Sequence, residues 1–391
     1  MASSGHNGPD DNRAECPFTV TIVDPNPKKR RRTGNGAGLS IKQQISPFVP
    51  RGEFRSYDTM DLFYQVNPAT EWARMARYRK FILNGEEYSH GSFIYVAHES
   101  SIKLRKVIND GEPMQCGKRS DLGWVAYILE IRASDIYHVY ARVYWMYWPD
   151  DLLEGTHDGT MSIQGRQSYH GIDELIASNH MDIINVVSVA SKAVVGHWDE
   201  RNDEEIQCAL YWRQAYDIRT RELSTVDVVC SCKTPANPDK TLLRCSARKC
   251  MAWMHEQCLI DSALAISYKR LGTEKPHLPL KWAGKGDDAV RLPLGGAQSR
   301  APSSQEPGAP NNQWTVDKAM SCRKTGRPRE KAPEENGVDR KPWVGLFEAT
   351  LNTERTGPPK LEYRDLRQDV VGGQKTWTEP VKCLLCGTTV R

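Results

Sequence analysis

Seven cysteines and one histidine, Cys230, Cys232, Cys245, Cys250, His255, Cys258, Cys383 and Cys386, run along this chain as four cysteines, a histidine and three more cysteines. Eight such donors complete two tetrahedral zinc sites, because zinc takes deprotonated thiolate or neutral imidazole at four corners. The short steps Cys230-Ser231-Cys232 and Cys383-Leu384-Leu385-Cys386 let one tight turn present two sulfurs together. The six ligands from Cys230 to Cys258 are clustered too closely for chance free thiols. A chain carrying them is expected to fold in part around metal.

The 391 residues allow two or three domains, and 23 prolines with 29 glycines predict folded modules joined by loose segments. No stretch approaches the roughly 20 apolar residues that cross a bilayer, and the start, MASSGHNGPDDNRAE, lacks the apolar run of a secretory signal. The chain is therefore read as intracellular, with no membrane partner. In a reducing compartment the cysteines serve as ligands rather than disulfides, which leaves Cys16, Cys116, Cys208 and Cys322 as ordinary free thiols. A net charge of +4 is too small to argue for wrapping nucleic acid. One basic run, Lys28-Lys29-Arg30-Arg31-Arg32, lies between prolines and a glycine-rich stretch, where an import receptor can read it as an extended peptide. It predicts a nuclear protein; the alternative is a solvated charge run.

Residues 1–55 read as a disordered tail, and 284–340, with GGAQSRAPSSQEPGAPNNQ, as a disordered linker. Between them, FIYVAH (93–98), WVAYILEIRA (124–133), YHVYARVYWMYW (137–148) and SVASKAVVGHW (188–198) are β-branched and aromatic and bounded by turn formers. They predict a mainly antiparallel β domain over 60–220, closed by ALYWRQAYDI, with a helix at Glu71 to Lys80 where Trp72, Met75 and Tyr78 recur at helical spacing.

In YWMYWPDDL, a strand would place Trp145 and Tyr147 on one face and Tyr144, Met146 and Trp148 on the other. One face must be core. Aromatics on the other are free to surround a cation, and a methylated ammonium keeps its charge while shedding hydration. Periodicity alone favours core packing.

VYWMYWPDDL, followed by SYHGIDELIASNHMDIINVVSV and KAVVGHW, resembles the second half of a bromo-adjacent homology (BAH) domain over about residues 85–205. The ligands from Cys230 onward are similar to a plant homeodomain (PHD) finger, and the tandem order resembles the BAH-PHD chromatin readers of fungi and plants. In relatives of this type that read trimethylated lysine 27 of histone H3 (H3K27me3), an aromatic cage takes one ring from an earlier strand and two from the tryptophan strand. The resemblance implies Trp124, Trp145 and Tyr147 as that cage, with tryptophan at 124 where plant relatives resemble a tyrosine. It also implies His180 and Asp182 as contacts to the histone peptide, against the alternative of a loop-bonding histidine and a helix-capping aspartate. Asp150 and Asp151 could attract a basic tail or merely solvate a loop.

In a PHD finger the ligands interleave. The resemblance implies one structural zinc on Cys230, Cys232, His255 and Cys258 and a second on Cys245, Cys250, Cys383 and Cys386. The finger would then occupy 226–262 and 376–391, with Trp377 near its end and an insertion at 263–375; closure cost grows only logarithmically with such a loop. Four protein ligands at each zinc leave no open position for an activated water. Histidine in fifth place separates the pattern from a RING finger. Trp253 matches a position that is core in many fingers and a cage wall in others, and the structural role is favoured because Val229 precedes the first cysteine. In the linker, Gly326-Arg327-Pro328-Arg329 resembles an AT-hook core, which would place Arg327 and Arg329 in a minor groove; an accidental basic linker is the alternative.

No Ser-His-Asp order or phosphate loop emerges, so the expectation is a non-enzymatic nuclear reader of H3K27me3 acting in transcriptional repression. The other readings are a corepressor scaffold that ignores methyl-lysine, and a finger that reads another state of the H3 tail.

Overall fold

The aromatic and β-branched runs form the middle of a sheet that is covered on both sides. The computed structural model describes residues 15–23, 41–109, 119–200, 209–278, 341–353 and 357–391. The chain divides into two units, residues 1–259 with 355–359 and 380–391, and residues 260–354 with 360–379. Both are mainly β.

In the first unit, β1 (Thr19–Ile22), β2 (Lys42–Gln44) and β3 (Leu62–Asn67) make a small antiparallel sheet with β3 central. Helix α1 (Ala69–Arg74), β4 (Ala76–Tyr78), the hairpin β5 (Lys80–Leu83) and β6 (Glu86–Ser89), β7 (Phe93–Val96) and α2 (Glu99–Asn109) follow. Then come β8 (Trp124–Ala133), β9 (Val139–Tyr147), β10 (Thr156–Asp158), β11 (Met161–Ile163) and β12 (Glu174–Asn185). Strands β13 (Val189–Ala193), β14 (Val195–His197), β15 (Leu210–Asp217) and β16 (Glu222–Leu223) complete the domain. The main sheet has the order β11-β10-β16-β15-β12-β9-β8-β7-β13, with β14 on β15 and β4 on β8. Its long central pairs, β8–β9 and β9–β12, are antiparallel, whereas β12–β15, β14–β15 and β10–β16 are parallel.

Nearly every residue of β8 and β9 is buried. On one face Val125, Leu129, Tyr144 and Met146 pack with Phe48, Leu62 and Trp72 from the small sheet and its helix. On the other Ala126, Ile128, Val143 and Trp145 pack with Phe81 and Tyr88 of the β5–β6 hairpin. A strand covered twice needs apolar residues at both parities, which is why these runs lack polar alternation.

Two expectations are corrected. Residues 15–23 and 41–55, read as tail, supply β1, β2 and the nearly buried Phe18 and Phe48. Phe18 meets Trp72 and Tyr140 edge-on at 5.1 and 5.2 Å, so the early chain fills the core. The helix expected to reach Lys80 stops at Arg74, because Met75 turns extended (φ −68°, ψ 136°) and Ala76–Tyr78 pair with Ala133–Ile131. The hydrogen-bonding edge of β8 outweighs a fortuitous helical spacing.

The finger follows with β17 (Val228–Val229) on β18 (Thr234–Pro235), and β19 (Leu242–Arg244) on β20 (Trp253–His255). Helix α3 (Glu256–Leu271) carries the chain from the first unit into the second. There β21 (Phe347–Asn352), β22 (Lys360–Asp365) and β23 (Thr376–Pro380) form a sheet in that order. Trp377, which by resemblance ended the finger, instead belongs to this sheet, stacked on His277 at 4.2 Å and on Tyr363 at 5.0 Å. The sequence reading had not marked these strands, whose short alternating runs are mostly polar on one face. The linker at 284–340 lies outside the described residues. No helix among those residues is long and apolar enough to cross a membrane.

The domain also buries charge. Glu174 is fully enclosed and receives Arg213 Nε at 2.9 Å and the Gly171 N–H at 2.8 Å; Arg213 also reaches Glu200 at 2.8 Å. Arg213→Ala strands two carboxylates, one of them in the core, and is expected to cost about 3–5 kcal/mol of unfolding free energy in a denaturant titration. The paired replacement Glu174→Leu with Arg213→Met should cost less than the single one, since it removes both buried charges.

Candidate functional site

The five residues singled out from the sequence fall into two contact groups, Trp124, Trp145 and Asp182 in one and Tyr147 with His180 in the other. Trp145 lies opposite Ala126 on β8, whose small side chain leaves room for the indole. Trp124 opens β8 after Gly123, whose φ of +141° suits glycine. The Trp124 and Trp145 rings stand 5.5 Å apart at 80°. Trp124 is 44% exposed, whereas Trp145 is 9% exposed and belongs to the hairpin-side core. The core and cage alternatives for Trp145 thus concern one ring with a packed side and an edge near solvent.

Strand β12 brings the polar partners. Its register against β9 shifts between Ala177 and Met181, so Ser178, Asn179 and His180 form a bulge. Asn179 is drawn inward, donating to Asp217 at 3.1 Å and to the Met60 carbonyl at 3.3 Å. Ser178 Oγ donates to the Trp145 carbonyl at 2.5 Å. His180 Nδ1 lies 2.8 Å from the Tyr147 hydroxyl, and the two rings stack at 6.0 Å. Beyond the bulge, Asp182 Oδ2 accepts from Trp145 Nε1 at 3.3 Å.

Protonation states agree with this bonding. Burial, aided by Tyr216 and Asp151, pushes the Tyr147 hydroxyl up to about 12, so it remains a donor. Burial lowers the pKa of His180, with Asp182 opposing, which favours the neutral imidazole that accepts at Nδ1. The ring partners of Tyr147 among the described residues are His180 and Tyr216, not the two tryptophans.

The sequence reading missed His98. Its ring stacks on Trp124 at 4.8 Å, and its Nε2 donates to the Ser120 carbonyl at 2.7 Å, which holds the exposed indole in place. No local motif announces it; only the β7–β8 pairing, with Val96 opposite Trp124, brings the two segments together. Asp150 is already taken, receiving Arg166 at 2.9 Å. Lys28, Lys29, Arg30, Arg31, Arg32, Arg327 and Arg329 lie outside the described residues, as do Cys116, Cys208 and Cys322. Cys16 is described, and burial pushes its thiol up to about 11.

The second constellation is the pair of clusters Cys230, Cys232, His255, Cys258 and Cys245, Cys250, Cys383, Cys386, each with ligand atoms within 4.8 Å of one another. Cys245 and Cys386 sulfurs are 3.6 Å apart, and Cys250 and Cys383 sulfurs 3.8 Å. These gaps are too wide for disulfides and close to the ~3.7 Å edge of a tetrahedron with metal–sulfur bonds of about 2.3 Å. His255 Nε2 donates to the Pro235 carbonyl at 3.1 Å, leaving Nδ1 facing Cys232 at 3.3 Å and Cys258 at 3.8 Å. A fixed tautomer of this kind is what a ligating histidine needs. The last knuckle is tight, with Cys383 N–H donating to Thr388 O and Gly387 N–H to Cys383 O, both at 2.9 Å. The residues present can hold two metal ions in crossed pairs.

Trp253 is partly buried, with the Arg244 guanidinium 5.5 Å from its ring centre. Between the first two ligand pairs, Asn237 Nδ2 donates to the carbonyls of Ser168 at 2.8 Å and His170 at 3.1 Å. Asp239 Oδ2 accepts from the Ile172 N–H at 2.5 Å. The finger's first loop is therefore hydrogen-bonded to the loop that leads into β12. Nothing in the spacing of Asn237 and Asp239 signals this, because their partners are backbone groups some seventy residues earlier.

No family model matches the chain. It is 26% identical over 168 residues to the chromatin remodeling protein SHL of Arabidopsis thaliana, a match covering 40% of this chain and 66% of that protein. To the chromatin remodeling protein EBS of the same plant it is 26% identical over 165 residues, covering 39% and 63%. The matches thus span a little under two thirds of either relative's length. Among solved structures, the yeast Rsc2 BAH domain aligns at 12% identity over 36% of this chain and 49% of that one, with a TM-score of 0.22, too slight a superposition to carry an argument about fold.

Proposed function

We propose that this protein is a nuclear chromatin reader that holds a trimethylated lysine, lysine 27 of histone H3, against Trp124, Trp145 and Tyr147, and so takes part in transcriptional repression. The observation that carries the reading is the perpendicular pair of indoles 5.5 Å apart, one of them 44% exposed. A quaternary ammonium there would meet the exposed Trp124 ring with the mostly buried Trp145 ring beside it, and each favourable ring contact contributes about 0.5–2 kcal/mol. Asp182, fixed by the Trp145 indole N–H, adds a carboxylate beside the rings, and His180 offers a neutral imidazole to the peptide backbone. The similarity to two proteins named for chromatin remodeling supports the setting. The reading involves no catalysis.

Zinc is the metal proposed for the two clusters, since thiolate and imidazole donors at tetrahedral spacing suit it, and its role is structural because each site is filled by protein. Bound there, it supplies folding free energy to a module with little apolar core.

Titration of the full chain with H3 peptides carrying zero to three methyl groups at lysine 27 is expected to show affinity rising with methylation. Trp124→Ala, an exposed position, should reduce the trimethyl preference about 2- to 30-fold, the range for one lost cation–π wall. Equal affinity for unmodified and trimethylated peptides would favour the corepressor scaffold instead. Zinc analysis of purified protein should give two equivalents, falling to one in Cys383→Ser and in His255→Ala. Two equivalents retained in Cys383→Ser would remove the last knuckle from the second site.

A further inference from the structure

At the far end of β8 from Trp124 lies a groove of about 700 Å³ lined by Arg77, Tyr78, Arg79, Lys80, Ser89 and His90. We infer that it is a docking surface for the phosphate backbone of duplex DNA. The inference rests on the chromatin reading above in one respect, that DNA is the polyanion at hand.

The backbone here is fixed while the cations project. Tyr78 pairs with Ile131 on β8, the His90 N–H donates to the Arg79 carbonyl at 2.9 Å, and Lys80 pairs with Ser89. Positive charge is in surplus. The buried carboxylate of Glu130 is shared by three guanidiniums, Arg132 at 2.8 Å, Arg142 at 3.1 Å and Arg77 at 3.7 Å. Arg77, the most distant, keeps its side chain 64% exposed. Among the described residues the Arg79 side chain makes no ion pair. Lys80 meets Glu87 at 2.6 Å, but both side chains are about half exposed, and such a pair is easily exchanged for a phosphate. Tyr78, 51% exposed between the two arginines, adds a hydroxyl donor.

Dimensions favour a duplex. From Arg77 to Lys80 the chain, bent at Arg79, spans at most roughly 10 Å, over which a duplex presents a charge every ~1.7 Å of axis. Ile131 is seven residues along β8 from Trp124, roughly 23 Å, so a histone tail at one end and DNA at the other need not compete.

The test measures binding of the full chain to a duplex of about 30 base pairs by fluorescence anisotropy between about 50 and 200 mM salt. The variant combines Arg77→Gln, Arg79→Gln and Lys80→Gln, with its thermal unfolding compared to wild type. The wild-type plot of log affinity against log salt should be steeper by about 2.7, the value for three phosphate contacts, which is about a 40-fold difference in affinity loss over that range. Equal slopes overturn the inference. Loss of binding to phosphatidylserine vesicles with an unchanged DNA slope also overturns it and assigns the groove to a lipid surface. The peptide titration separates the two proposals: the triple variant should keep the trimethyl preference, and Trp124→Ala should keep the salt slope. Failure of every form to prefer trimethyl-lysine would sink the cage and leave the slope comparison intact.

Discussion

Burial of both faces of β8 and β9 is the constraint on which the rest of the domain depends. A sheet covered on one side by the β1–β3 sheet and on the other by the β5–β6 hairpin has no free face to offer a ligand. The proposed binding surfaces therefore lie at the strand ends. Trp124 and Tyr147 occupy one such end, at the first residue of β8 and the last of β9, and Tyr78 flanks the other. The bulge in β12 interrupts its pairing with β9, and there Ser178, still buried and paired with Tyr216 on β15, bonds the Trp145 carbonyl while His180 reaches Tyr147.

The sequence was most legible where chemistry is local. Ligand spacing marked the cysteines and histidine as metal donors, and the finger resemblance supplied their grouping into two sites that the structure brings together. Strands β8 and β9 were legible from their apolar runs alone. What escaped was whatever depended on a distant partner. Phe18 and Phe48 sit in polar, proline-bearing surroundings, so nothing nearby shows that they reach distant core rings such as Tyr140 and Trp212. The end of α1 was set by the edge of β8 rather than by any helix stop signal. Trp377 resembled the end of the finger by sequence order, yet its ring is held by His277 and Tyr363.

The crossed ligand pairs give the chain an unusual covalent route. It leaves the finger just after Cys258, builds a separate unit on α3 and three strands, and re-enters in time to place Cys383 and Cys386 beside Cys245 and Cys250. Closing such a loop costs only the logarithm of its length, whereas zinc bound in comparable sites supplies about 10–16 kcal/mol. That margin lets an insertion of this size persist without its own contribution to the ligand set.

Asn237 and Asp239 carry one more consequence. Their side chains complete the hydrogen bonding of Ser168, His170 and Ile172 at the approach to β12. A finger exchanged for one from another protein would leave those backbone groups without partners, and a β domain moved alone would lose the same bonds. The two modules are thus poorly suited to recombination as separate cassettes, and lineages carrying this chain are expected to inherit and diversify them as a single block.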